Sequence, residues 1–366
     1  MSQTRDPRKY ERQQITIRLI RMGILLAYSG GLVLAAGRVE SMLADLTAYR
    51  WLALLAFGGA FFVGYELLTL PLNYYSEFRM EHAYELSNQT LGGWFVHSLK
   101  EWLVGLIFGG ILVGGLYAAL WYGGRFWWIW VWLGWLLLSV GVARLFPVLI
   151  LPLFYKSEPI EQESLYARFA QLAEGTRLTI TGVFKLGLSK ETKKANAMLA
   201  GLGNTRRVYL SDTLLDAFDE DEIAVVFAHE LGHHVHGHIR KGIALGAVLS
   251  TIIVAVVAAI LAPFAGSDPT RWPGAVVALP AIVAAVSILS FGISPLTNAI
   301  TRAFERQSDT EALDRTKNPA AFRSTMVKLG EMNLADNEPP RWIEILFHDH
   351  PALGKRIAMA DRWEGR

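Results

Sequence analysis

His229-Glu230-Leu231-Gly232-His233 sets two imidazoles and a carboxylate within five consecutive residues of a 366-residue chain. On a helix, positions i and i+4 share a face, so His229 and His233 can aim ring nitrogens at one ion with Glu230 beside it. Such a pair plus one further protein ligand holds zinc with a fourth position open to water, whose pKa then falls towards about 7. The chemistry on offer is hydrolysis by an activated water, with Glu230 as the carboxylate that takes its proton. The competing reading is a histidine-rich patch at a membrane surface, because five of the nine histidines (His229, His233, His234, His236 and His238) fall within ten positions.

The third ligand sets the subclass. A metzincin would carry Gly at 236 and His at 239, where this chain has His236 and Ile239, so that register fails. A gluzincin takes a Glu from a later helix. The stretch "NAITRAFERQSDTEALDR" offers Glu305, 72 residues beyond His233 (305 − 233), with Asp309 one turn on. Asp309 can accept a hydrogen bond from a ligand histidine and so fix its tautomer. By spacing alone the same stretch reads equally well as a solvated helix with ion pairs among Arg302, Glu305 and Asp309. His234 and His238 are also i and i+4, but on a neighbouring face without a carboxylate, which suits surface histidines at a membrane boundary.

The elements that must position these groups are largely apolar. The chain is 52% hydrophobic and only 19% charged, below the roughly one quarter of a soluble domain, which points to a membrane protein. Crossing a bilayer core of about 30 Å takes about 20 apolar helical residues. Segments 102–124, 126–143, 242–267 and 272–301 meet this without a single charge. Two weaker ones are 51–72, which runs past Glu66, and 22–37, which needs Arg18 and Arg21 to snorkel. Six spans are expected; the alternative for 22–37 is a signal peptide. Arg5, Arg8, Lys9, Arg12, Arg18 and Arg21 place the N-terminus in the cytoplasm. Threading from there puts 73–101, 156–241 and the chain from 302 on that same side, so one site can be assembled from all three. Glu66 and Arg144 lie within or near spans, where pairing or a polar internal chamber would accommodate them. Five tryptophans between 127 and 135 read as an interfacial belt.

Residues 156–241 read as a mixed α/β insert: a helix in "ESLYARFAQLAEGTRL", then strands in "GVFKLGL", "KANAMLAGL" and "RRVYLSD", the last two joined by a Gly-Asn-Thr turn. "DEDEIAVVFAHELGHH" has an acidic start suited to a helix N-terminus and is expected to continue helically into the fifth span. The domains expected are 1–155, a membrane domain of four spans; 156–241, the catalytic insert; 242–301, two further spans; and 302–366, a C-terminal catalytic segment. The chain has no cysteine, which excludes disulfides and thiolate ligands, and a net charge of +2 does not suggest nucleic acid.

Several motifs in order, from about residue 70 to 356, resemble the type I CAAX prenyl endopeptidase family of integral-membrane zinc proteases. They are "LPLNYYSEFRMEHAYELSNQTLGGWFVHSLKEWL" (70–103), "LPLFYKSEPI" (151–160), "KANAMLAGLGNTRRVYLSDTLL" (194–215), "AHELGHH" (228–234), "RAFERQSD" (302–309) and "HPALGKR" (350–356). The resemblance implies an α-helical integral membrane protein with a small α/β gluzincin domain. It implies one zinc ion held by His229, His233 and Glu305, with Glu230 as the catalytic carboxylate and Asp309 behind the ligands. Asn196 and Ala197 would lie on an edge strand pairing with substrate backbone, and His350 and Arg356 would approach the substrate as catalytic groups. Eukaryotic members have seven spans around a large chamber. Six are found here, a departure from that pattern; the expectation is a bacterial-type member in a bacterial cell membrane, with the basic N-terminus still placing its site on the cytoplasmic face. The chain also carries Arg306 and Ser308 where the family often has an aromatic and an alanine.

The expected reaction is hydrolysis of peptide bonds in a peptide or protein, with or without an attached lipid, beside membrane lipids. The alternative is a quality-control protease without prenyl specificity. A site-2-type intramembrane protease is disfavoured, because 272–301 lacks the Asp-Gly motif that such a site needs. A non-catalytic scaffold would have no reason to keep all the ligand types and Glu230.

Overall fold

The computed structural model describes residues 5–160, 162–176, 182–202, 207–265 and 275–364. Among them, six helices are long and apolar enough to cross a membrane: Pro7–Leu34, Arg50–Ala83, Leu91–Tyr122, Gly124–Phe154, His238–Ala262 and Val276–Thr316. All six expected spans are present. The first begins 15 residues before the expected 22–37 (22 − 7), so the arginine-rich N-terminal stretch is helical rather than a loose tail.

The helices are α1 (Pro7–Leu34), α2 (Ala36–Leu46), α3 (Arg50–Asn73), α4 (Glu81–Ala83), α5 (Leu91–Tyr122), α6 (Trp127–Leu145) and α7 (Leu151–Phe154). Asp6 caps α1 by accepting from the Arg8 and Lys9 amides, which explains a start ahead of the apolar stretch. Leu54, Phe57, Phe61, Tyr117, Leu120, Trp121 and Leu279 form the core between spans. The Trp132 indole donates to the Ala247 carbonyl at 3.0 Å, so this tryptophan ties two spans together instead of serving only in a belt. Glu66 opens on a cavity of about 210 Å³ shared with Asn73, Glu77, Ser98 and Glu101.

The insert holds β1 (Ser157–Pro159), α8 (Glu163–Ala173), β2 (Val183–Leu186), β3 (Ala197–Ala200), β4 (Arg207–Ser211), α9 (Asp212–Ala217) and α10 (Glu220–Val235). The sheet order is β1-β2-β4-β3, with β2 parallel to β4 and both outer strands antiparallel to their neighbours. β1 has no counterpart in the sequence reading, and the Gly-Asn-Thr turn falls outside the described residues. The sheet and α8 pack on α10 through Leu165, Phe169, Val208, Leu210 and Phe227, with the Phe169 and Phe227 rings stacked at 4.2 Å. The segment after α4 docks this unit to the spans: the Asn88 amide donates to the Glu191 carbonyl at 3.0 Å and the Lys193 amide to the Leu86 carbonyl at 2.9 Å.

The remaining helices are α11 (His238–Ala265), α12 (Leu279–Thr316), α13 (Pro319–Asn333), α14 (Arg341–Phe347) and α15 (Leu353–Glu364). α10 does not run on into the fifth span as expected. It stops at His236, Gly237 adopts φ +66°, and α11 starts afresh. A left-handed residue just past the last turn is a common way to end a helix, and glycine takes it without steric cost.

Candidate metal centre

α10 begins with Asp219 and Glu222 in a reciprocal capping box, so its start is fixed and its register presents His229 and His233 one turn apart. α12 lies against it at Gly232, where an added Cβ would stand 2.7 Å from Ser308 Cα. Ser308 is fully buried against Gly232 at that close approach, while Arg306 is exposed. The same approach delivers Glu305 and Asp309, buried on the same face of α12.

His229, His233 and Glu305 form the one group among the described residues with three metal-binding side chains in mutual reach. His229 Nε2 lies 3.2 Å from Glu305 Oε2, and His233 Nε2 lies 3.3 Å from Glu305 Oε1. The two Nε2 atoms are 3.3 Å apart. Atoms bound at about 2.0–2.1 Å around a tetrahedral ion stand about 3.3–3.4 Å from one another. Glu305 Oε2 is buried and makes no well-aligned hydrogen bond, although the Nε2 atoms of His229 and His350 stand 3.2 and 3.3 Å from it; a cation between the three groups satisfies it. The residues present therefore fit zinc.

Behind His229, Asp309 Oδ1 stands 2.9 Å from Nδ1. Burial works against a charged imidazole here, but the Asp309 and Glu305 carboxylates outweigh it and lift His229 to about 9 among the protein groups alone. Arg356 corrects an expectation. Read as a group approaching the substrate, it is instead buried in a two-point pair with Asp309, Nε to Oδ2 at 2.8 Å and Nη2 to Oδ1 at 2.6 Å. It fixes the carboxylate that fixes His229.

His238 is the second correction. Read as a surface histidine, it is 5% exposed, stacked on Phe304 at 4.3 Å, with Nδ1 3.1 Å from His233 Nδ1 and Nε2 2.9 Å from Gln307 Oε1. His236 stays half-buried, 3.4 Å from Glu311.

A cleft of about 470 Å³ opens onto His229, Glu230, Asn196, Ala197, His350 and Arg356. Glu230 Oε2 accepts from the Leu199 amide at 3.0 Å. β3 is the last strand of its sheet, and backbone groups alternate along it. Asn196 exchanges bonds with Ser211 on the β4 side, so Ala197 and Leu199 direct theirs towards the cleft. His350 Nε2 stands 3.3 Å from Glu305 Oε2 and its Nδ1 2.8 Å from Asp349. The Asp349 carboxylate raises His350 above the ordinary imidazole value, burial opposing and Glu305 adding. Tyr10, Glu11 and Gln14 of α1 also line the cleft, a contribution the sequence reading missed.

Two family models together match nearly the whole chain: "Peptidase family M48" over residues 159–364, and "CAAX prenyl protease N-terminal, five membrane helices" over residues 4–156. Within that second stretch the described residues hold four candidate spans. An uncharacterized metalloprotease of Bacillus subtilis is 25% identical over 89% of this chain and 78% of its own length. A CAAX prenyl protease 1 homolog of Oryza sativa is 27% identical, over 83% and 72% respectively. The CAAX prenyl protease 1 of Saccharomyces cerevisiae is 32% identical over 46% of this chain and 37% of its own. The crystal structure of S. mikatae Ste24p superposes with a TM-score of 0.77 at 22% identity, covering 88% of this chain and 80% of that one, a likeness of fold. With an HExxH helix, a distal glutamate and six spans in one chain, and with more than half of it matched by the peptidase model, this protein belongs to peptidase family M48, as a membrane zinc metalloendopeptidase of the CAAX prenyl protease type.

Proposed function

We propose that the cleft hydrolyses peptide bonds of polypeptides presented at the cytoplasmic face, with His229, His233 and Glu305 holding one zinc ion and Glu230 moving the proton. The observation carrying this is the set of 3.2–3.3 Å separations among His229, His233 and the buried Glu305 carboxylate, beside Glu230 and an open strand edge on one cleft. When bound, zinc polarises the scissile carbonyl and acidifies a water. Glu230, oriented by the Leu199 amide, accepts the proton of the attacking water and returns it to the leaving amine. Asp309, clamped by Arg356, keeps His229 in the tautomer whose Nε2 faces Glu305. Asn196 and Ala197 begin the strand along which substrate backbone pairs, with the Ala197 groups facing the cleft. His350, its protonated form favoured by Asp349, donates to the oxyanion as the tetrahedral centre forms.

The cytoplasmic side follows from the arginine-rich start of α1. A bacterial cell membrane is supported by the long match to the Bacillus relative. From the names of the plant and yeast relatives we infer a CAAX prenyl protease-like substrate, a polypeptide carrying a prenyl group.

Cleavage mapping on the purified chain, with farnesylated and unlipidated versions of one peptide and a chelator control, tests both levels. Glu230→Gln should keep bound zinc and lose about 10²–10⁴ in kcat; full chelator-sensitive activity in that variant would sink the mechanism. Equal turnover of the two peptides would instead assign quality-control proteolysis without prenyl specificity.

A further inference from the structure

A groove of about 810 Å³ between α12, α14 and α15 shares Arg356 with the catalytic cleft. Six cations line it against three carboxylates. Two of the carboxylates are engaged within the protein: Asp309 by Arg356, and Glu344 by Lys355 and the Ala352 amide. Glu338 is the third. Arg306, Arg341 and Arg362 are exposed and form no ion pair among the described residues. Arg302 is 8% exposed and directs Nη1 at the carbonyls of Glu344 and His348, with no carboxylate on it. This surplus of guanidinium groups suits a phosphate, whose oxygens match their planar fork.

The height of the groove names the source of the phosphate. α12 carries no charge from Leu279 to Thr301, and Arg302 is its first. α14 packs at that boundary, with Asn298 Nδ2 donating to the Leu346 carbonyl at 2.9 Å. α14 also leaves a large apolar face uncovered: Trp342 is 58% exposed, Ile345 42% and Leu346 40%, while Ile343 and Glu344 turn inward. Tryptophan and aliphatic side chains on one face, beside arginines, are what a short interfacial helix presents to the junction of headgroups and acyl chains. A bilayer surface attracts such a segment by about 1 kcal/mol per cationic side chain when its lipids are anionic.

We propose that the groove between α12, α14 and α15 is a binding site for the phosphate headgroup of an anionic phospholipid, with Trp342, Ile345 and Leu346 seated in the same leaflet. The site is distinct from the catalytic cleft and does not depend on which peptide the cleft cuts. Arg356 forms a wall of both, so a bound headgroup sits directly behind the pair that steadies His229.

The test uses the full zinc-loaded chain in detergent micelles, titrated with phosphatidylglycerol or phosphatidylcholine of identical acyl chains, reading melting midpoint and retained lipid by native mass spectrometry. Phosphatidylglycerol should raise the midpoint and remain bound, and phosphatidylcholine should do neither. Replacing Arg306, Arg341 and Arg362 by Gln should weaken retention about fivefold per arginine. The matching Lys variant, which keeps the charge without the planar fork, should recover only part of it, and unchanged zinc content in both should show that the fold is intact. Equal retention of the two lipids, or wild-type retention by the Gln variant, overturns the site. An equal shift with inorganic phosphate makes it a free-anion site, and tighter binding of an acidic peptide makes it a protein-binding groove; either result also overturns the proposal.

Discussion

Each histidine proposed as a zinc ligand turns one ring nitrogen towards Glu305 and has the other held from behind, and the two holders differ. His229 is held by a carboxylate, Asp309, itself gripped by Arg356. His233 is held by an imidazole. Gln307 Oε1 accepts from Nε2–H of His238, which leaves His238 Nδ1 as an acceptor for Nδ1–H of His233. His233 Nε2 is then a lone pair aimed at Glu305, as a zinc ligand requires. His238→Ala should therefore lower zinc affinity about 10–100-fold, measured by chelator competition, with the helices intact by circular dichroism. An unchanged affinity would remove His238 from this role. The His229–His233 pair was legible in the sequence because its members are four residues apart within one helix, whereas spacing left Glu305 open and only the family resemblance named it as the third ligand. His238 was not legible, because on an unbroken helix a residue five beyond His233 points elsewhere, and only the left-handed turn at Gly237 brings it back. Gly237 was the signal: a glycine after a histidine-rich last turn is a helix stop.

At the scale of elements, the position of α10 depends on its first turn as much as on its core. Glu222 is buried and receives the Asp219 amide at 2.9 Å, Lys328 Nζ at 2.6 Å and the Ser324 hydroxyl. Burial alone would raise its pKa, but Lys328, Ser324 and the Asp219 amide together hold it below the ordinary 4.5. A carboxyl depressed in the folded state contributes stability that is complete above its unfolded pKa and is lost as pH falls through the folded one. Stability should thus fall from about pH 5 downward, and Glu222→Gln should lower the melting midpoint at neutral pH while flattening that acid limb. An identical acid limb in the variant would assign it to other carboxylates. The acidic start of this helix could be read directly, since capping is local. The partners on α13 could not be, because Lys328 lies 106 residues away. Three of the four strands were readable as short apolar runs, two of them with β-branched and aromatic residues and β3 with only alanine, methionine and leucine. β1, only three residues ending in proline, has no periodicity to read.

For the whole molecule, the two ends of the chain meet at the catalytic cleft. α1 extends below its apolar stretch and sets Tyr10, Glu11 and Gln14 along one wall, in contact with the loop that brings His348, Asp349 and His350. Glu11 pairs with His348, Arg8 with Asp336 at 3.3 Å, and Lys194, just before the edge strand, with Glu81 at 2.8 Å. The basic residues of 5–21 could be read as an orientation signal, because charge counting needs only sequence. Their helix as a wall of the site could not, because it depends on a contact 337 residues apart. A wall that contacts substrate but none of the reacting groups affects binding more than chemistry. Glu11→Ala, which removes the pair with His348 and opens that side, should raise KM several-fold, of the order expected from about 1 kcal/mol for a partly exposed ion pair. kcat and zinc content should stay near wild type. Steady-state kinetics on one cleaved peptide separate the alternatives: a loss in kcat alone would mean that α1 acts on the metal centre through His350, and no change in either constant would mean that substrate enters without touching the first helix.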